Sequence, residues 1–237
     1  MSDTVSSRAV RSATGILCAL PAELGSLAER EVARRTVQGL ELLELDLDGE
    51  ALLACVGGVG KVMAARAATL LLCEGAGARL LFVGVCGGLR RRLGPGTLVH
   101  CTTAFQVDLA VRCSRQVQAD AGLRAAWRRA APGEEGWFLT ADRPVLNPWR
   151  RLRLARAFAG PCVADMETAA AAAVAAAAGV PWAALRAVSD RAGPLAAAAF
   201  REHYPAQAGR AADTVRHLMV ELRRPRAGAL SSADPER

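Results

Sequence analysis

Residues 51–85 are ALLACVGGVGKVMAARAATLLLCEGAGARLLFVGV, and this stretch decides the fold class. The apolar run from Ala51 to Val56 predicts a strand, and the glycines at positions 57–60 predict a turn after it. The stretch from Lys61 to Glu74 is rich in Ala and Leu and predicts a helix, and Leu80 to Val85 predicts a second, buried strand. Strand, turn, helix and strand in this order form a βαβ unit, which is typical of α/β proteins.

The same alternation continues on both sides of this unit. Polar residues 1–13 predict a flexible tail, and the Pro-, Gly- and Ser-rich residues 224–237 predict a disordered one. Between them, over residues 14–223, we expect a single three-layer α/β domain with a central mixed β-sheet flanked by helices. Further strands are predicted over residues 14–20, 40–47, 97–103, 137–140, 162–164 and 182–188, and further helices over residues 24–35, 120–131, 148–159, 167–178 and 207–223.

Composition narrows the function classes. The chain has 237 residues, of which 52% are hydrophobic, and a net charge of +7. The basic clusters lack interleaved aromatics, so we expect no nucleic-acid partner. The seven cysteines contain no C-x-x-C pair, which favours a reducing, cytoplasmic location. Thr168 to Leu185 carries no charge, but alanine is weakly apolar and Gly179 to Pro181 interrupts the run, so we expect no membrane span.

Several cofactor and catalytic motifs fail on inspection. Gly57 to Lys61 is not a phosphate-binding P-loop, because Cys55 and Val62 stand where that motif needs Gly and Ser or Thr. No G-x-G-x-x-G or G-x-S-x-G spacing occurs, and the three histidines do not cluster. We therefore expect neither a cofactor nor a metal. The glycine turns at 57–60 and 84–89 serve either packing or backbone contact with a ligand.

Three carboxylates follow predicted strands or open an apolar helix: Glu23, Glu167 and Asp190. Each has a structural alternative, since Asp caps helices well and Glu is favoured in a first helical turn. Because residues at the ends of different strands of one α/β sheet converge, the three together favour a site. Paired carboxylates suit glycosidic chemistry, in which one donates a proton while another activates water.

Five sequence blocks, in their order, resemble the nucleoside phosphorylase and nucleosidase superfamily. The similarity runs from about Thr14 to about Leu222 and is greatest to the bacterial methylthioadenosine/S-adenosylhomocysteine nucleosidase branch. It implies a nucleoside phosphorylase-like fold and hydrolysis of the N-glycosidic bond of an adenosine-type nucleoside, with release of adenine. The blocks are residues 15–23, 58–62, 84–89 with 94–99, 165–170 and 185–190.

The resemblance also implies residue roles. Asp190 would be the general acid at purine N7, and Glu23 would activate the attacking water. Glu167 would hold the ribose 2′ and 3′ hydroxyls, with Met166 packing on the sugar. Four further residues would contact substrate: Gly87, Ser189, Val145 and Phe105. The implied state is a homodimer in which a neighbouring subunit completes the pocket, and Phe105 is the candidate for that contact.

The sequence departs from the family pattern at several positions and leaves alternatives open. Val85 stands where nucleosidases often carry Ser or Thr, and residues 142–145 replace an aromatic beside the purine. Residues 142–145 with Val85 also resemble the hopanoid-associated phosphorylase-like branch, and Phe105 to Leu109 resembles the futalosine hydrolase branch. The 5′ substituent, whether that of methylthioadenosine, S-adenosylhomocysteine or another adenosine, stays open. Phosphorolysis is the enzymatic alternative, with Arg90 or Arg143 as the cation, and a nucleoside-binding protein is the non-enzymatic one.

Overall fold

The computed structural model describes residues 13–111 and 115–224. The two predicted tails lie outside these residues, except for Ala13 and Arg224. The strands are β1 (Thr14–Cys18), β2 (Glu31–Val37), β3 (Leu40–Leu47), β4 (Glu50–Val56), β5 (Arg79–Gly88), β6 (Leu98–Gln106), β7 (Gln116–Gln118), β8 (Glu134–Thr140), β9 (Cys162–Asp165) and β10 (Trp182–Asp190). The helices are a 3-10 helix (Pro21–Arg30), α1 (Lys61–Cys73), α2 (Ala121–Ala130), α3 (Pro148–Ala157), α4 (Thr168–Ala177), α5 (Ala196–Gln207), α6 (Arg210–Asp213) and α7 (Val215–Arg223).

One mixed sheet organises the molecule, as predicted. Its strand order is β10-β6-β8-β9-β5-β1-β4-β3-β2, with β7 on β6. Because β10 also pairs with β5, the strands β5, β9, β8, β6 and β10 close into a ring, and the rest of the sheet continues outward from β5. Strands β4, β1, β5 and β10 run parallel, so their carboxyl ends meet at one edge.

Helices cover both faces of the sheet and complete the predicted three layers. Leu80 and Phe82 of β5 face the layer that contains α1 and α4, whereas Leu81 and Val83 face the layer that contains α2, α6 and α7. This alternation follows from the two-residue period of a strand. Burial on both faces explains why β5 and β10 are almost continuously apolar in sequence.

The uncharged Ala-rich stretch forms α4, which has ten residues and packs against α1. Six of its residues are buried, four of them in the same apolar cluster as the alanines of α1. Small side chains allow the two helix backbones to approach closely. Within the described part of the chain, no helix has the length and apolarity that crossing a bilayer requires.

The predicted helix over residues 24–35 is wrong in its second half. The chain forms the 3-10 helix Pro21–Arg30 and then enters strand β2, which pairs antiparallel with β3. The helical segment is interrupted at Gly25, where φ is +51° and a Cβ would lie 2.7 Å from the carbonyl oxygen of Gly209. Only glycine tolerates this conformation at such a close approach.

The carboxyl-terminal helices also differ from the prediction. The segment predicted as one helix over residues 207–223 is divided into α6 and α7 around Thr214. The Thr214 hydroxyl donates to the carbonyl of Ala211 at 2.7 Å and accepts from the indole N–H of Trp127 at 2.7 Å. Helix α5 was not predicted at all, and it forms part of the site described next.

Candidate active site

Most of the predicted site residues lie together in one cavity of about 410 Å³. It lies at the edge where the carboxyl ends of β1, β5 and β10 meet. Strand β9 runs antiparallel to β5, but its Ala164 pairs with Gly87 near the end of β5 and so reaches the same edge. Seven of the eight predicted residues line the cavity: Glu23, Gly87, Val145, Met166, Glu167, Ser189 and Asp190.

Glu23 lies in the first turn of the 3-10 helix that follows β1, and its side chain is held by the backbone. Its Oε2 accepts the N–H groups of Ala19 at 2.8 Å and Leu20 at 3.1 Å, and its Oε1 accepts the N–H of Val85 at 3.1 Å. Burial raises the pKa of the Glu23 carboxyl, and the Arg186 guanidinium and these N–H groups partly offset that rise. A fixed carboxylate with a raised pKa suits a general base.

Gly84 is required for this arrangement. Its φ is +141°, and a Cβ there would lie 2.6 Å from Glu23 Oε1 and 3.0 Å from an Arg186 guanidinium nitrogen. Any side chain would therefore displace the carboxylate or the guanidinium. The turn predicted at residues 84–89 is wrong, since residues 84–88 belong to strand β5, and Gly84 allows this strand to approach the acidic and basic side chains closely.

Glu167 is bound by groups from two other elements. Its Oε1 accepts the N–H of Gly60 at 2.9 Å, and its Oε2 lies 3.3 Å from Arg186 Nη2. It stands at the amino-terminal boundary of α4 but makes no capping hydrogen bond. Burial raises the pKa of Glu167, and the Arg186 charge partly offsets the rise. Its place at the start of α4 agrees with the helix-dipole alternative, but both of its carboxylate oxygens are also engaged, by Gly60 and by Arg186.

Arg186 is the residue at the centre of the site that the sequence analysis missed. Its side chain is 2% exposed and lies 3.3 Å from Asp165 Oδ2 as well as from Glu167. It also donates to the Val85 carbonyl at 3.0 Å. Burial alone would lower the pKa of the guanidinium, and the surrounding carboxylates more than offset this, so the pKa is raised. The charge of Arg186 balances part of the negative charge in the cavity.

Asp190 occupies the end of β10 and is oriented by its neighbours. Its Oδ1 accepts the N–H of Ala192 at 2.8 Å, and its Oδ2 accepts the Ser189 hydroxyl at 2.9 Å. Burial raises the pKa of Asp190, although both hydrogen bonds act in the opposite direction. A carboxyl with a raised pKa keeps its proton to higher pH than an exposed one and can serve as a proton donor at the cavity wall.

The remaining wall is mostly apolar. Val59 and Val85 line it, and α5 contributes Phe200, which the sequence analysis did not identify. Two exposed arginines, Arg143 and Arg201, also line the cavity. The wall thus combines buried carboxylates at one end with apolar and cationic side chains elsewhere.

Two of the proposed residues lie outside this cavity. Phe105 packs edge-on against Phe158 with ring centroids 5.1 Å apart. Arg90 donates to the carbonyl oxygens of Gly160 at 3.1 Å and Phe158 at 2.7 Å, so its guanidinium is engaged by backbone. Within residues 13–111 and 115–224, no group of three His, Cys, Asp or Glu residues is arranged to hold a metal ion.

Proteins similar to this chain include 5′-methylthioadenosine/S-adenosylhomocysteine nucleosidases and a futalosine hydrolase. The family model described as the phosphorylase superfamily matches residues 13–222. The 5′-methylthioadenosine/S-adenosylhomocysteine nucleosidase of Shewanella piezotolerans is 30% identical over 80% of this chain and 90% of its own length. The corresponding Psychromonas ingrahamii protein is 26% identical over 88% of this chain and 98% of its own length.

Solved structures agree in fold. The Neisseria meningitidis nucleosidase of the same name, in complex with methylthio-immucillin-A, superposes with a TM-score of 0.81 at 25% identity, covering 88% of this chain and 98% of that one. The futalosine hydrolase of Helicobacter pylori superposes with a TM-score of 0.83 at 22% identity, covering 89% of this chain and 98% of that one.

Proposed function

The chain belongs to the phosphorylase superfamily, and we propose that it hydrolyses the N-glycosidic bond of a 5′-substituted adenosine to release adenine. The observation that carries this proposal is the convergence of Glu23, Glu167 and Asp190, with Arg186 among them, in one cavity. Methylthioadenosine and S-adenosylhomocysteine are the substrates named by the relatives.

Asp190 is proposed as the general acid. As the bond between C1′ and N9 breaks, its electron pair moves into the purine, and the proton of Asp190 passes to N7, so that adenine leaves as a neutral molecule. The pKa of Asp190 is raised by burial, which favours the protonated form that this step needs. A positioned acid contributes about 10²–10⁴-fold to the rate of such a step.

Glu167 and Glu23 are proposed to act on the sugar side. Glu167 accepts the ribose 2′ and 3′ hydroxyls while Gly60 and Arg186 fix its orientation. Glu23 accepts a proton from the water whose oxygen bonds to C1′ as positive charge develops there. The products are adenine and a free ribose that keeps the 5′ substituent, which completes the atom balance.

Water is favoured over phosphate as the nucleophile by the charges around Glu23. Of the two arginines considered for a phosphate site, Arg90 donates to backbone carbonyls outside the cavity, whereas Arg143 lines the cavity at an exposed position. Arg186 is paired with Asp165 and Glu167. A phosphate dianion beside Glu23 would therefore meet carboxylates whose counter-charge is already engaged, which is electrostatically unfavourable.

We also propose that the protein is a cytoplasmic homodimer. Five described cysteines are buried and free, which suits a reducing compartment.

Val59 and Leu146 line the cavity yet are 49% and 44% exposed, and Trp149 nearby in sequence is 75% exposed. A second subunit would cover these side chains and close the cavity. Light scattering after gel filtration would give the mass of a dimer, and the mass of a monomer would contradict this.

The test is a panel of 5′-modified adenosines with adenine detection, including S-adenosylhomocysteine, methylthioadenosine and its 7-deaza analogue. We expect adenine from at least one 5′-substituted adenosine. The 7-deaza analogue should bind without being cleaved, because carbon replaces the N7 that Asp190 protonates. Binding of every nucleoside with cleavage of none would favour the non-enzymatic alternative. Cleavage of the 7-deaza analogue at the same rate would contradict the acid role of Asp190.

A further inference from the structure

Lys61 is the only lysine of the chain, and all the other basic residues counted with it are arginines. It is the first residue of α1 and directly follows the glycine turn at residues 57–60. Its side chain is 14% exposed. An ammonium is a compact charge with three donors, whereas a guanidinium is larger and planar. Replacing Lys61 by arginine would therefore test whether the shape of the cation matters at this position, in addition to its charge.

The ammonium of Lys61 joins two segments that are distant in sequence. Its Nζ lies 2.7 Å from Asp108 Oδ1 and 3.0 Å from Asp142 Oδ2. Asp108 Oδ2 accepts the N–H of Asp142 at 2.7 Å, so the three residues form a closed triangle. Partial burial would lower the pKa of Lys61, and the two aspartates more than offset it, so the ammonium form is favoured.

Two corners of this triangle, Lys61 and Asp142, continue into the candidate active site, although none of its three residues lines the cavity. Gly60, the neighbour of Lys61, donates its N–H to Glu167 Oε1 at 2.9 Å. Asp142 is followed by residues 143–146, which line the cavity. The triangle thus ties the start of α1 to the segments after β6 and β8.

We propose that Lys61 is a positioning residue for nucleoside binding, which holds the Gly60 N–H against Glu167 and thereby fixes the carboxylate that accepts the ribose hydroxyls. The inference rests on the proposed function, in which Glu167 binds ribose. A residue that only stabilised the fold would affect all ligands of the cavity alike. A residue that positions Glu167 affects ligands that contain ribose more than those that lack it.

The experiment compares binding of the 7-deaza analogue of methylthioadenosine, which contains ribose, with binding of adenine, which does not. Calorimetry is carried out on the full-length protein, on Lys61→Met and on Arg216→Met. The last variant is the matched control, because Arg216 pairs with Asp48 at 2.8 Å and neither residue lines the cavity. For Lys61→Met we expect the Kd of the nucleoside analogue to rise about tenfold or more, because a hydrogen bond to a charged group is weakened. The Kd of adenine should rise less than about threefold, because adenine lacks the ribose.

Equal weakening of both ligands, or no weakening of either, would overturn the positioning role. Lys61→Arg should restore less than half of the loss in binding free energy, and full restoration would show that charge alone suffices. Should Lys61→Met fail to fold, Asp142→Asn removes one negative charge beside the same ammonium and should raise the Kd values of the two ligands in the same unequal way. Failure of the proposed function is distinct, because it would appear in the unmodified protein as binding of nucleosides without release of adenine.

Discussion

Replacing Arg186 by methionine tests whether this guanidinium neutralises the buried carboxylates of the cavity. The side chains of Asp165 and Glu167 are 0% and 6% exposed, and both lie 3.3 Å from Arg186. Methionine keeps much of the volume but leaves the two acids without that partner. Breaking a buried ion pair from one side costs about 3–5 kcal/mol. For a domain of this size, that corresponds to a fall in Tm of about 6–20 °C.

The loss should depend on pH in a definite direction. Without Arg186, the folded-state pKa of Glu167, already raised by burial, moves further above its unfolded value. The folded state then binds more protons than the unfolded state between those two pKa values, so the free energy of unfolding falls as pH rises through that window. The deficit of Arg186→Met should therefore be smallest in acid and largest at neutral pH.

Urea denaturation at several pH values measures this deficit. Arg216→Met is the control, because its exposed pair with Asp48 is screened by solvent and should contribute little to stability. A deficit for Arg186→Met below that of the control at neutral pH would refute the reasoning. A large deficit that did not change with pH would show that lost packing, rather than unpaired charge, is the cause.

Three further predictions concern activity. Gly84→Ala should reduce both adenine release and Tm, because its Cβ would lie 2.6 Å from Glu23 Oε1. Gly160→Ala is the control and should retain activity, since Gly160 also has a positive φ but a Cβ there would meet no atom within 4 Å. The kcat/KM should fall as pH rises through the raised pKa of Asp190, since only the protonated acid donates, and a kcat/KM that stays constant at alkaline pH would contradict the acid role. Asp190→Asn should lower turnover by about 10²–10⁴-fold. Arg201→Ala should lower kcat/KM for S-adenosylhomocysteine, which has a carboxylate on its 5′ tail, more than for methylthioadenosine, and an equal loss for the two would remove this role.

The sheet and the carboxylates could be predicted because both depend on local sequence. A strand buried on both faces is a short apolar run, as in β5 and β10, and the residues after parallel strands meet at one edge. This rule was sufficient to group Glu23 and Asp190. It did not reveal that Glu167 is held by Gly60, because that contact joins residues 107 positions apart.

The parts that were missed depend on long-range contacts or conflicting local patterns. Arg186 lies inside an apolar strand pattern, where a single Arg could have indicated a buried ion pair. Helix α5, which contributes Phe200, contains Pro205, which locally opposes a helix. The residues after Gly25 mix apolar and charged side chains in a pattern that fits either a helix or a strand, and β2 is a strand because it pairs with β3.

The proposed reaction in the cavity is transfer of the sugar to water. Its most direct test is the reaction of the purified protein with methylthioadenosine in phosphate-free buffer and again with added phosphate, with the products separated and identified. We expect adenine and free methylthioribose in equal amounts, at a rate that phosphate does not increase. Adenine release that requires phosphate and yields a ribose 1-phosphate would contradict it.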